Sequence, residues 1–212
     1  MRTILISSSK GGCGKTTIAT SLAAFYAVAD KRTVLIDTDP QESALHWCQR
    51  RAELPVPAVL GLQAKLNGKL LNKVPSDAER VVIDTPAGTN AEEVAAIASD
   101  LDALIVPVAP SVIDLDATER FLAALAENAD WRKKKVPIAL LANRQKPWTQ
   151  LSRSTLERLR AFGLPVVAEL RDSGGYALMA GVGRSIFDYQ SEQVLRHQDD
   201  WTPLLKWIKK LD

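Results

Sequence analysis

Eight consecutive residues near the start of the chain, Lys10, Gly11, Gly12, Cys13, Gly14, Lys15, Thr16 and Thr17, combine three glycines, two lysines and two hydroxyls. That mixture suits a chain of phosphates. Glycines let backbone N–H groups curl around an anion, and a helix that begins there adds the positive end of its dipole. The backbone from Gly11 to Gly14 would form the cradle. Lys15 would reach the β- and γ-phosphates, the Thr16 hydroxyl would bind Mg²⁺, and Thr17 is placed to bond the α-phosphate. The common pattern G-x-x-x-x-G-K-[ST] asks for glycine where this chain has Ser9, and a further lysine, Lys10, precedes the first glycine. Cys13 reads as a small residue that fits the loop.

Carboxylates recur at the ends of two apolar runs. Asp37 and Asp39 follow "TVLI" and would point the same way if the strand continued. Hydrolysis of a phosphoanhydride needs one acid near a metal and one near the attacking water; a turn stabilised by Asp and Pro is the plainer reading of the same residues. Asp84 ends "RVVID", and its carboxylate suits the water shell of Mg²⁺. Gly88, after Pro86, would turn a backbone N–H toward the γ-phosphate. Asn143 ends "LLAN", where open α/β sheets bind ligands beyond their strand ends. Its amide offers adenine both a donor and an acceptor, although capping the next turn would employ it equally well.

These residues must be positioned by alternating elements. Runs 3–7, 33–37, 80–84, 103–108, 136–143 and 165–170 read as strands, several apolar at successive positions as doubly covered strands are. Helical patterns fall at about 15–30, 41–53, 90–99, 115–129, 150–162 and 191–211. The alternation predicts one doubly wound α/β domain over residues 1–212, with a mostly parallel sheet and helices on both faces. Segment 54–78 is expected to hold one short strand and one short helix.

Composition narrows the function. The net charge is +2, so the total does not indicate a strongly basic nucleic-acid binder. The two cysteines, Cys13 and Cys48, lack metal-ligand spacing and read as free thiols of a reducing cytosol. No apolar run reaches bilayer length, and the opening residues lack the pattern of a secretion signal, so a cytoplasmic protein is expected.

The motifs "KGGCGKTT" (10–17), "DTDPQ" (37–41), "VVIDTPAG" (81–88) and "VPVAPSVIDLDAT" (106–118) stand in an order that resembles the ParA/MinD family of deviant Walker-motif ATPases, most closely the small ParA-type partition ATPases. "LLANR" (140–144) and "GVGRSIFD" (181–188) match more loosely. The resemblance implies an ATPase that uses ATP and Mg²⁺, with Asp39 orienting or activating the attacking water and standing near the metal, and with Asp37 in a structural or outer-shell role. It also implies that Asn143 reads the base. Lys10 would cross a homodimer interface to touch the partner subunit's phosphates, as an arginine finger does. An ATP-state dimer of this kind would bind DNA non-specifically and associate with the nucleoid. An adaptor protein would stimulate hydrolysis and link the dimer to a cargo: a plasmid, a chromosome region or a protein compartment such as a carboxysome.

The last residues bear on the rivals. On a helical wheel Trp201, Leu204, Leu205, Trp207, Ile208 and Leu211 share a face, and Lys206, Lys209 and Lys210 lie opposite. A basic amphipathic helix of this kind can lie on a membrane, as in a MinD-like cycling ATPase. A last helix packed on the sheet is the favoured reading, because a parallel sheet must be covered on both faces. The exposed lysines would then join Arg184 in a weak, salt-sensitive DNA surface. A metabolic ligase of the dethiobiotin synthetase type would need a substrate pocket for which little length remains. An iron-sulfur relative would need thiolate ligands, and the two cysteines are not suitably placed for them.

Overall fold

The computed structural model describes residues 1–211. Among these, seven strands form one sheet: β1 (Arg2–Ile6), β2 (Thr33–Asp37), β3 (Leu60–Gln63), β4 (Arg80–Asp84), β5 (Ala103–Val108), β6 (Ile138–Gln145) and β7 (Val166–Arg171). Their order is β3-β2-β4-β1-β5-β6-β7 and every pairing is parallel, so the expected mostly parallel sheet is parallel throughout. The helices are α1 (Lys15–Val28), α2 (Ser43–Ala52), α3 (Ala91–Ala95), α4 (Val112–Glu127), α5 (Ala129–Lys134), α6 (Gln150–Arg160), α7 (Gly174–Gly181), α8 (Glu192–Asp199) and α9 (Thr202–Lys209).

The side-chain period of two along each strand sorts the core into two layers. Ile4, Ile6, Val82 and Ile105 face a cluster built with Leu22 of α1, Trp47 of α2 and Leu204 of α9. Leu5, Val81, Ile83 and Leu104 face the other cluster, with Val94 of α3, Phe121 of α4 and Leu159 of α6. Every strand residue named is fully shielded from solvent, which is why the sequence shows continuous rather than alternating apolar runs.

Register places the functional loops. Ile6 pairs with Asp84, and Asp37 pairs with the same Asp84 across β2 and β4. The chain therefore leaves β1, β2 and β4 at one level, and the loops after these three strands lie side by side. The Thr85 hydroxyl locks two of them by donating to the Ile6 carbonyl at 3.0 Å and lying 3.2 Å from the Ser7 hydroxyl.

Four expectations about elements need correction. The single helix at 191–211 is two, α8 and α9, because Pro203 belongs to a helix's first turn, where its missing N–H leaves no bond unmade. Segment 54–78 holds β3 but turns instead of a helix; Asn67 folds its side chain back to accept the Lys69 N–H at 3.0 Å, and Leu70 plugs the loop into the core. The helix expected at 90–99 stops at Ala95, followed by a 3₁₀ turn at Ala98–Asp100. Two helices, α5 and α7, have no counterpart among the expected elements. Asn128 ends α4 and its side chain caps α5 by accepting from Asp130 and Trp131, and the glycine-led α7 offers little helical propensity.

One buried ion pair joins distant parts of the chain. Arg51 of α2 makes a bidentate pair with Asp188, both bonds at 2.8 Å and both side chains without solvent exposure. Arg51 also donates to the Pro57 carbonyl at 2.8 Å, and Asp188 accepts the Ser185 N–H at 2.7 Å. No described helix is long and apolar enough to cross a membrane.

Candidate functional site

The loop between β1 and α1 has the geometry that its glycines predict. Gly14 takes φ 96°, and a methyl group there would collide with the Asn143 amide nitrogen. Only glycine meets both demands. No side chain caps α1 and no acid stands in its first turn, so its leading amides are left for an outside acceptor. Lys15 is buried, and its Nζ donates to the Lys10 carbonyl at 2.8 Å, across the mouth of the loop. Thr16 and Thr17 sit partly exposed at the helix start. Cys13 is buried with its Sγ 3.5 Å from the same Lys10 carbonyl, a packed residue of the loop.

Asp84, at the end of β4, is 1% exposed, and neither carboxylate oxygen has a well-formed hydrogen bond among the described residues. Burial pushes its carboxyl up to about 7, opposed by the adjacent Thr16 hydroxyl and the Lys15 charge and assisted by the charges of Asp37 and Asp39. An unsatisfied buried carboxylate beside a threonine hydroxyl is a set of hard oxygens, and it fits a hard divalent cation that keeps most of its waters. Asp84 and Thr16 are the residues that would hold Mg²⁺.

Asp37 and Asp39 are separated in role by their surroundings. The Asp37 carboxylate is fully buried and accepts N–H bonds from Asp39 at 2.9 Å, Ala44 at 2.8 Å and Leu45 at 3.0 Å. It anchors the first turn of α2, whose own N-cap Glu42 makes no side-chain cap. Burial raises its carboxyl above the ordinary range despite those donors. Asp39 is partly exposed, with one oxygen fixed by the Gln41 N–H at 2.9 Å, and that bond holds the carboxylate in one orientation.

Asn143 meets the loop directly. Its amide donates to the Cys13 carbonyl at 2.7 Å, holding the glycine loop against the end of β6. It also borders a cleft of about 270 Å³ that continues past Gly14 and Thr17 to Arg144, Tyr176 and Trp201. The last two are not among the residues that sequence reasoning places at the site. Trp201 is legible only as part of a helix face, and nothing local marks Tyr176. They belong together: the indole N–H of Trp201 donates to the Tyr176 hydroxyl at 3.0 Å. Asp114, in the first turn of α4, is a further missed group. It lies inside the quoted "VPVAPSVIDLDAT" motif, and the nearby Lys10 charge counters the rise that burial imposes on its carboxyl.

Lys10 itself is partly exposed at the front of the loop, its N–H held by the Ser8 hydroxyl at 3.3 Å. Gly88 takes φ 81° in the neighbouring loop. The structure thus brings Lys10, Gly11 to Thr17, Asp39, Asp84 and Asn143 to one end of the sheet. The four basic residues expected to touch DNA are divided between two regions of the chain. Arg184 stacks over Tyr189 at 5.5 Å, with its carbonyl held by Trp47 of α2. Lys206 and Lys209 are on α9, and Lys210 is exposed just beyond it. Trp201, Leu204 and Ile208 are buried in the core, and Leu205, Trp207 and Leu211 pack against it. Most of the apolar face of α9 is therefore spent on the core, while Leu205, Trp207 and Leu211 stay partly exposed.

Comparison with known proteins agrees with this geometry. Residues 4–184 match the family model described as the CobQ/CobB/MinD/ParA nucleotide binding domain. The maintenance of carboxysome distribution protein A of Halothiobacillus neapolitanus is 28% identical over 189 residues, 87% of this chain and 86% of that protein. Among solved structures, the ATP complex of a single-residue variant of Cyanothece McdA superposes with a TM-score of 0.74 at 17% identity, covering 100% of this chain and 96% of that one. The Mg-ADP complex of the septum site-determining protein MinD of Pyrococcus horikoshii gives 0.71 at 16% identity, covering 99% and 96%. The chain belongs to the CobQ/CobB/MinD/ParA nucleotide-binding family, and its fold is that of the ParA/MinD-type ATPases.

Proposed function

We propose that this protein is a ParA-type ATPase that binds Mg–ATP, dimerises around it, holds DNA without sequence preference in that state, and positions a cargo through an adaptor protein. The observation that carries the reading is Asp84: a buried, unsatisfied carboxylate beside Thr16 and an uncapped helix start. A group of that kind calls for an outside partner, and a bound cation would complete it. The bound cation would supply charge neutralisation at the phosphates.

The chain's own residues divide the remaining work. The amides of the loop and of the α1 start take the phosphate oxygens. Lys15 exchanges its bond to the Lys10 carbonyl for a stronger one to phosphate. Asp39 holds and orients the attacking water and stands near the metal. Asp37 fixes the loop that carries Asp39. Asn143 braces the glycine loop and borders the cleft where the base would lie. Lys10, at the front of the loop, reaches the phosphates of a second subunit, and the dimer then joins two weak basic patches into one adequate DNA surface. The carboxysome relative supports a protein compartment as one candidate cargo. The packing of α9 favours DNA over a bilayer as the bound surface.

A gel shift with duplex DNA and a sedimentation assay with anionic liposomes, each run with ATP and with ADP, test the reading. DNA should be retarded only with ATP, and less so as salt rises. Lys209→Glu with Lys210→Glu should weaken retardation while sparing ATP binding. Sedimentation with liposomes in place of DNA retardation would overturn the reading.

A further inference from the structure

A second cavity lies away from the nucleotide loop, between the C-terminal end of α1 and α9. It is a groove of about 450 Å³, within the range of small-molecule sites. Phe25, Tyr26, Leu205 and Ile208 line its floor, and Lys206 and Lys209 line its edge. Phe25 and Leu205 are only partly buried, so apolar surface along the floor still meets water, and an apolar ligand would remove it. The floor is already built. Phe25 packs edge-to-face on Phe187 at 5.1 Å, and Phe187 does the same on Trp201 at 5.5 Å.

Among the described residues that line the groove, every charged side chain is a cation and none is a carboxylate. Two of its cations are already engaged. Lys31 pairs with Glu79 at 3.0 Å, and Arg80 stacks over Tyr26 at 5.4 Å and donates to the Glu79 carbonyl at 3.1 Å. Lys206 and Lys209 are three residues apart and so on one side of α9. Neither takes part in an ion pair among the described residues. An apolar trough with two available ammonium groups on one lip selects an apolar body that ends in an anion.

The geometry points to a binding site for a single-chain amphipathic anion, an alkyl carboxylate or alkyl phosphate, seated on Phe25, Tyr26, Leu205 and Ile208 with its head group between Lys206 and Lys209. The ligand is a free amphiphile and not a lipid within a bilayer. For α9 to enter a bilayer it would have to withdraw Trp201, Leu204 and Ile208 from the core, where each is at most 2% exposed. This site is independent of the nucleotide reading and shares no residue with the phosphate loop.

Calorimetric titration of the full chain with decyl phosphate, below its micelle concentration and without nucleotide or DNA, is the test. One saturable site is expected. Decanol, with the same apolar body, and decyltrimethylammonium should each bind at least about tenfold more weakly. Lys206→Glu with Lys209→Glu should weaken decyl phosphate by about tenfold or more. Ala29→Trp, at an exposed position lining the groove, should abolish binding by filling the space. Unchanged circular dichroism and melting would show that both variants fold. Phosphatidylglycerol vesicles should not sediment the protein. The proposal fails if no saturable site is seen, if decanol binds as tightly, if either variant binds as the parent does, or if vesicles bind in a way those variants remove. The titration contains neither nucleotide nor DNA, so its failure would leave the ATP and DNA reading standing, although Lys206 and Lys209 also belong to the proposed DNA surface.

Discussion

Replacing Asp84 by asparagine should make the metal-free protein more stable at alkaline pH. In the folded chain the carboxyl rises from 3.8 to about 7, chiefly through burial, with Thr16 and Lys15 opposing the rise and Asp37 and Asp39 adding to it. The sign follows from proton uptake. Between those two values the folded state keeps a proton that the unfolded state has released, so stability falls as pH climbs from about 4 to about 7 and the full cost is present above that. A gap of roughly three pH units corresponds to about 4 kcal/mol. An unsatisfied buried polar group costs about 1–3 kcal/mol in proteins, so a gain on the order of 2 kcal/mol is expected. For a chain of this length that is a rise in melting temperature of about 4–8 °C. The assay is differential scanning calorimetry of parent and Asp84→Asn in EDTA at pH 8, 6 and 4. The gain should be largest at pH 8, smaller at pH 6 and nearly gone at pH 4. Adding Mg–ATP at pH 8 should reverse the order, because the parent then gains binding energy that the variant lacks. A variant less stable than the parent at pH 8 in EDTA, or one that gains equally at pH 4, would refute the account of Asp84 as an unsatisfied buried charge.

Three further outcomes are expected. Asp39→Ala should leave ATP binding and ATP-dependent dimerisation intact in gel filtration while lowering single-turnover hydrolysis at least about a hundredfold, the usual scale for a group that acts on the attacking water; normal turnover would move the water to another residue. Asp188→Asn should cost about 3–5 kcal/mol in urea unfolding, since it strands the fully buried Arg51 guanidinium, whereas replacing Arg51 and Asp188 together by apolar residues should cost far less. Gly14→Ala should weaken ATP affinity without unfolding the protein, because the left-handed φ and the Asn143 contact allow a methyl group only if the loop moves; unchanged affinity in calorimetry would show that the loop's shape does not matter.

The fold was legible wherever a segment's pattern was set by burial on the sheet. The strands at 33–37, 80–84 and 103–108 coincide with β2, β4 and β5 residue for residue, because a strand covered on both faces leaves an unbroken apolar run. The glycine loop was legible as a strand-to-helix turn because its signal is local: three glycines stand between β1 and α1. What escaped depends on contacts between distant residues. The structural role of Asp37 followed from the resemblance and not from its own residues, and the bonds from Ala44 and Leu45 supply the physical reason for it. Asn143 could be placed at a strand end, but its bond to the Cys13 carbonyl spans 130 residues. Tyr176 and Trp201 meet across the cleft by the same kind of distant closure. The split of the last helix was available in Pro203, whose position in the first turn of α9 separates it from α8.

The place of β1 in the sheet also constrains how the chain is born. It emerges before the other described strands, yet its neighbours are β4 and β5, beginning at Arg80 and Ala103. Its apolar faces and its two hydrogen-bonding edges must wait, unpaired, while everything up to those strands is synthesised. The earliest pairing on offer joins β2 to β3, Val34 to Leu60, at the rim of the sheet. Synthesis therefore makes a rim pairing available before the central ones, and the central ones require wide loops to close, which slows folding and leaves apolar segments exposed. The start of the glycine loop gains its tie to Thr85 only after β4 is made, and its brace only after β6 brings Asn143. A ribosome-bound chain that ends before β4 should bind chaperone and fail to retain ATP, even though it already carries every residue of the phosphate loop.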